Sequence, residues 1–294
     1  MSIEVVDPLS GKPARYLLTA KDNRGIPGSF DYYTSDDGHV FLAEVPADLG
    51  RHYEGGYQKI PGSEAELAEM AKVDAYRLEA VKTLVPAGDF LEIGPWIGLV
   101  AYSAKQAGYR VDTLEMSQQC VDLMNGVGIA ATQTEDPART LADSGKHYDV
   151  IGLWHSIEHI PQPWNVIAGA ARALRPGGLL VIAAPNPESA QLRAFGKHWY
   201  HLDAPRHLHL VSADHYEAIG RREGLLTVEK TSDDALGRIL DRDGWVFETH
   251  RWVGSMPIVR GVFNRLFSKS LAKRHRPTPG QVDGAGYTLM MRRP

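Results

Sequence analysis

The run from Asp89 to Gly98, DFLEIGPWIG, constrains this chain more than any other segment. Its first half is apolar enough for a buried strand, and its second half breaks into a glycine turn. An acid, Glu115 in LEMS (114–117), follows about twenty residues later, the spacing at which a βαβ unit brings the end of its second strand beside the turn of its first. Gly94 and Gly98 allow a ligand close to the backbone, and the Glu115 carboxylate can accept two hydrogen bonds from a ribose. A glycine pair alone would be weak evidence. The order strand, turn, helix, strand, acid predicts a bound nucleoside cofactor.

The chain has room for such a unit. At 294 residues and 43% hydrophobic content it can form one large α/β domain with additions, or two small domains. A net charge of -4 argues against a protein built to grip nucleic acid, which shows a basic excess. Cys120 is the sole cysteine, so no intrachain disulfide can form and a reducing compartment is expected. The segment MSIEVVDPLSGKPARY lacks a basic stretch followed by a long apolar one, and no apolar run approaches the roughly 20 residues of a membrane span. A soluble, cytoplasmic protein is expected.

Residues 1–60 are rich in turn formers and aromatics, which predicts short strands and loops. Ser63 and Glu66 have capping-box spacing, and Leu67, Met70, Ala71, Leu78 and Val81 recur at helical intervals until Pro86 and Gly88. Strands are expected at 90–93, 109–115, 128–132, 148–154, 179–186, 225–230 and 286–293. Helices are expected at 99–107, after Ser117, over 163–174 and from Ser212 to Gly224. That alternation implies a doubly wound, seven-stranded, mostly parallel sheet in an α/β fold, with ligands at the carboxyl ends of its strands. Residues 235–283 form an insertion before the last strand.

Five pieces together carry a family resemblance: FLEIGPWIG, the acid in VDTLEMS, YDVIGLWHSIEHIPQP, ALRPGGLLVIAAPN and FGKHWYHLDAPRHLHLVS. Over residues 63–230, with the last strand added, the chain resembles a class I S-adenosylmethionine-dependent methyltransferase with a Rossmann-like fold, which implies a methyltransferase domain over residues 61–294. The block from Phe195 to Ser212 resembles a bacterial branch associated with cell-surface polysaccharide and secondary-metabolite pathways. Two departures stand out. Trp96 occupies the middle of the cofactor turn, where such enzymes carry glycine, so its ring must turn away, wall the pocket or block it. Relatives often begin with two CxxCG zinc knuckles, whereas here the ligand positions are Asp7, Ser10, Thr34 and Asp37. Two carboxylates and two hydroxyls make a poor zinc site. Residues 1–60 are expected either to be a metal-free remnant or to hold ordinary surface turns.

The resemblance implies that Glu115 binds the ribose of S-adenosylmethionine, that Gly94, Pro95 and Gly98 line its methionine part, and that Met116 packs on the adenine. Glu92 is expected at the cofactor's amino group, and Trp96 and Trp154 border the pocket. Methyl transfer is an in-line displacement, so the protein supplies alignment and, where needed, a base. His155, directly after the fourth strand, is the first candidate. His159 is the second, and His207 in APRHLH is expected to touch the acceptor, with Trp199 and Tyr200 as an apolar wall. His198, His201, His207, His209 and His215 crowd one stretch, but their spacing matches no compact zinc pattern and no metal is expected.

From Pro257 to Pro277 the insertion has no acid and carries six Lys and Arg residues. It suits a lid, a dimer contact, an anionic acceptor or a peripheral membrane surface. Three functions compete: O-methylation of a small molecule or glycan, nicotinamide-dependent oxidation, and cofactor binding without catalysis.

Overall fold

The computed structural model describes residues 4–54, 59–253 and 276–294, together with Ser270 and Lys273. The basic stretch 257–277 therefore lies almost wholly outside the described residues.

The buried strand expected at the glycine turn is β4 (Asp89–Ile93). It pairs in parallel with β5 (Arg110–Glu115) on one side and β7 (Tyr148–Trp154) on the other. Beyond β5 lies β6 (Ala130–Gln133), and beyond β7 lies β8 (Leu174–Pro185), both again parallel. The C-terminal strand β11 (Gly286–Arg292) runs antiparallel between β8 and β10 (Leu226–Thr231). The seven-stranded order is β10-β11-β8-β7-β4-β5-β6, the mostly parallel sheet that the alternation predicts.

Side-chain alternation sends each central strand into two cores. Leu91, Ile93, Ile151, Leu153, Leu180 and Ile182 face the helices α5 (Pro137–Ser144), α6 (Pro163–Ala173) and α8 (Ala213–Arg222). Phe90, Val150, Val181 and Ala183 face the other layer, α1 (Glu64–Asp74), α2 (Tyr76–Leu84), α3 (Leu99–Gln106) and α4 (Gln118–Gly126). Leu236 and Leu240 of α9 (Ala235–Val253) pack there too. Burying both faces explains why these strands read as continuous apolar runs. Among the described residues no helix is long and apolar enough to cross a membrane.

Two details differ from expectation. The helix beginning after Ser63 is two helices, because at Ala75 the ladder tightens and Leu78 N–H bonds the Ala75 carbonyl at 3.1 Å. Its start is as expected, with Ser63 Oγ accepting from Glu66 N and Glu66 Oε2 accepting in turn from Gly62 N. The insertion, in turn, opens with α9, which docks on the cofactor-side core.

The N-terminal segment builds a second sheet from β1 (Arg15–Ala20), β2 (Phe30–Thr34) and β3 (Val40–Leu42). Its fourth strand, β9 (His209–Leu210), comes from the long connection after β8, which also holds the short helix α7 (Ala190–Phe195). Fully buried Arg206 completes this attachment. Its guanidinium meets Asp22 at 2.8 Å and Asp203 at 2.6 Å, and donates to the His52 carbonyl and Asn23 Oδ1. The turns that carry Asp7 and Asp37 are tied into the segment by Asp7 to His39 at 2.7 Å and Lys12 to Asp37 at 3.1 Å. Asp7 also accepts from Leu9 N and Ser10 Oγ, which with His39 holds its carboxyl low against the upward push of burial.

Candidate active site

One cavity of about 1640 Å³ opens at the carboxyl ends of β4, β5 and β7. Glu92, Gly94, Pro95, Trp96, Glu115, Met116, Trp154, His155, His159 and His207 all line it. Gly98, the remaining expected residue, sits just behind the lining as the N-cap of α3.

At the cofactor end the turn is shaped by close packing. Gly94 has φ +68°, its N–H bonds the Leu114 carbonyl at 2.8 Å, and a Cβ there would come within 2.6 Å of Ser156 Cβ. Gly98 has φ +76°, with Met124 Sδ only 2.9 Å from where a Cβ would stand. Trp96 adopts φ +55°, the left-handed backbone that glycine would tolerate, so the turn keeps its shape at a steric cost. Its N–H donates to Glu115 Oε2 at 2.9 Å, and its ring packs partly buried on the cofactor-side core while lining the cavity. The ring walls the pocket.

Glu115 Oε1 accepts from Ser117 N at 2.9 Å. Each of its oxygens thus takes one backbone bond, leaving lone pairs for two hydroxyls; burial raises its pKa. Glu92 is only 3% exposed and its Oε2 has no partner. Burial pushes that carboxyl up to about 8. A deeply buried acid with an open oxygen beside the turn fits a cationic amino group. Trp154 stacks on Phe90 with ring centroids 6.0 Å apart, filling the space that Gly152 leaves by having no side chain.

The opposite end is a cluster of imidazoles around Glu158. His155 follows β7 with φ +53°, and its Nδ1 lies 3.3 Å from Glu158 Oε1 while its Nε2 has no partner. His207 Nε2 is 3.8 Å from the same oxygen, and the rings of His159 and His207 meet edge to face at 4.7 Å. Burial works to raise the Glu158 carboxyl, but His155, His207 and His159 more than offset it and bring it to about 2. Burial lowers His159 and His201 to about 4 each. Among the described residues the non-glycine positions with positive φ are Trp96, His155 and Asp203, and all three line this cavity. Strained backbone concentrated at one pocket makes it the candidate functional site.

The histidine-rich stretch divides. His201 and His207 reach the cavity; His209 belongs to β9, between His39 Nε2 at 3.2 Å and the Pro161 carbonyl at 3.0 Å; His215 pairs with Ser212 at the start of α8. His198 lies in a 3₁₀ turn away from the lining. Tyr200 lines the cavity, while Trp199 is 2% exposed and packs in the N-terminal core. Sequence reasoning missed Glu158 and Ser156. The signal for Glu158 was its placement three residues after His155 and directly before His159. It also missed the N-terminal contribution, since Asn23, Arg24, Leu49 and Tyr53 line the same cavity.

Comparison with known proteins places this geometry. Residues 64–230 match the protein-family profile described as "Methyltransferase domain". A ubiquinone biosynthesis O-methyltransferase of Hydrogenovibrio crunogenus is 23% identical over 58% of this chain and 76% of its own length. Its counterpart from Hahella chejuensis is 25% identical over 50% of this chain and 66% of its own. Among solved structures, a SAM-dependent methyltransferase from Archaeoglobus fulgidus superposes with a TM-score of 0.52 at 16% identity, covering 76% of this chain and 94% of that one. That likeness concerns the fold.

Proposed function

The chain belongs to the methyltransferase domain family, and from that premise we propose that it methylates an oxygen of a small-molecule or glycan acceptor with His155 as the base. S-adenosylmethionine is the cofactor, supplying a methyl carbon activated by its sulfonium charge. The carrying observation is that one cavity joins the Glu92–Glu115 cradle to the imidazole cluster. Oxygen as the acceptor atom agrees with the names of the relatives, and the family match favours methyl transfer over nicotinamide-dependent oxidation.

The residues present fit the cofactor. Glu115 would hold the ribose through its remaining lone pairs, Glu92 would hold the amino group, and Met116 and Trp96 would wall the pocket. At the other end Glu158 lies beside His155 Nδ1, which leaves Nε2 to take the acceptor's proton as its oxygen attacks in line. Glu158 is a positioning residue: it orients the imidazole and stabilises the imidazolium that forms. Asn23, Arg24 and Tyr53 place the N-terminal segment at the acceptor side of the cavity.

The cofactor half is tested by thermal shift. S-adenosylhomocysteine at 100 times its dissociation constant should stabilise the protein by about 2.7 kcal/mol, NAD should not, and Glu115→Ala should remove most of the effect. Stabilisation by NAD alone would overturn the proposal.

A further inference from the structure

We propose that Glu158, His159 and His207 form a binding site for a divalent transition-metal ion at the acceptor end of the cavity. One ligand atom from each of the three lies within 4.8 Å of the other two. Proximity alone would be a weak reason, but the hydrogen bonds around the cluster specify which ring nitrogens are free to bind. His207 Nδ1 is 2.8 Å from the His201 carbonyl, and His159 Nδ1 is 2.9 Å from the Arg206 carbonyl. A carbonyl only accepts, so each Nδ1 carries the proton and each Nε2 keeps its lone pair. This is the arrangement by which backbone carbonyls fix the tautomer and orientation of metal-ligating histidines. A further contact holds His159 Nδ1, the Tyr53 hydroxyl at 3.1 Å.

Glu158 supplies the independent observation. It is 1% exposed; its Oε1 has His155 Nδ1 at 3.3 Å and His207 Nε2 at 3.8 Å, and its Oε2 receives no hydrogen bond from any described residue. Buried polar atoms are ordinarily satisfied, and a buried carboxylate with an open oxygen calls for a cation. Two neutral imidazoles and one carboxylate match borderline ions such as Zn²⁺ better than Mg²⁺, which prefers oxygen ligands. Three protein ligands leave coordination positions open, as in sites that also bind water or substrate. All three line the same cavity as His155. The linear spacing of the histidines hides the site, because two ligands follow β7 and the third comes from the long connection after β8.

Untagged full-length protein, stripped with a chelator, is titrated with Zn²⁺ by calorimetry and with Co²⁺ by visible absorption, without cofactor or acceptor. The outcome is therefore independent of methyl transfer. A single saturable ion per chain is expected. Glu158→Gln and His207→Gln should each weaken binding on the order of 100-fold or more, since losing even a supporting partner costs 10–100-fold. His215→Gln should bind like the parent. X-ray absorption of the zinc-loaded parent, which needs no variant, should show two imidazoles and one carboxylate at about 2.0–2.2 Å. No saturable binding of either ion, unchanged affinity in both Gln variants, or a shell of water oxygens alone would overturn the site.

Discussion

The proposed chemistry rests on His155 and Glu158, whose Nδ1 and Oε1 lie 3.3 Å apart, and each side chain can be removed singly. His155→Ala should lower turnover by roughly 10²-fold or more while S-adenosylhomocysteine affinity stays near the parent value; unchanged turnover would take the base role from this residue. Gly94 tests the turn itself. Ala there must hold φ +68° with its Cβ 2.6 Å from Ser156 Cβ, so Gly94→Ala should cost about 1–3 kcal/mol of stability. Adding Ser156→Gly should recover part of that loss in a double-mutant cycle, and strict additivity would show that the two do not meet. Gly94 and Glu115 were legible in the sequence because their spacing follows from the local βαβ path. Glu158 was not, since its role depends on His207 arriving from another connection.

Arg206 makes the connection after β8 and the N-terminal segment a single unit. Its side chain is wholly buried with that of Asp22, and removing one partner of such a pair leaves a buried charge behind. Arg206→Ala should therefore destabilise the protein by about 3–5 kcal/mol, with increased hydrogen exchange in β1, β2, β3 and β9 before the seven-stranded sheet. Equal protection loss in both sheets would refute that localisation. The sheet's own elements were readable from apolar runs and breakers. Helix α5 was passed over although Asp136 caps it through Arg139 N, Pro137 opens it and Gly145 closes it at φ +62°. Its weak signal is that of a short surface helix with only Leu141 buried.

Protons couple to the whole fold through imidazoles that are buried neutral. Burial lowers His159, His201 and His209 to about 4 from 6.5. Between those values the unfolded chain binds more protons than the native one, so stability rises with pH there. The contribution is fully present above about 6.5 and is lost as pH falls toward 4. Asp203 extends the loss to lower pH: burial raises it, but Arg206 and neighbouring imidazoles bring it to about 2 from 3.8. Calorimetry should show the melting temperature falling steadily from pH 6.5 to 4 and further below, and a flat profile across that interval would contradict the buried neutral state. Two of these imidazoles, His159 and His201, also line the large cavity.

Sequence periodicity determined the seven-stranded sheet, its layers and the cofactor turn, because a strand's two faces and a turn's backbone geometry are local properties of a few consecutive residues. Tertiary structure alone decided that Trp96 walls the pocket, that the N-terminal sheet borrows β9, and that Glu158 gathers His155, His159 and His207. Those outcomes depend on side chains from separate connections meeting in three dimensions, and spacing along the chain does not encode that meeting.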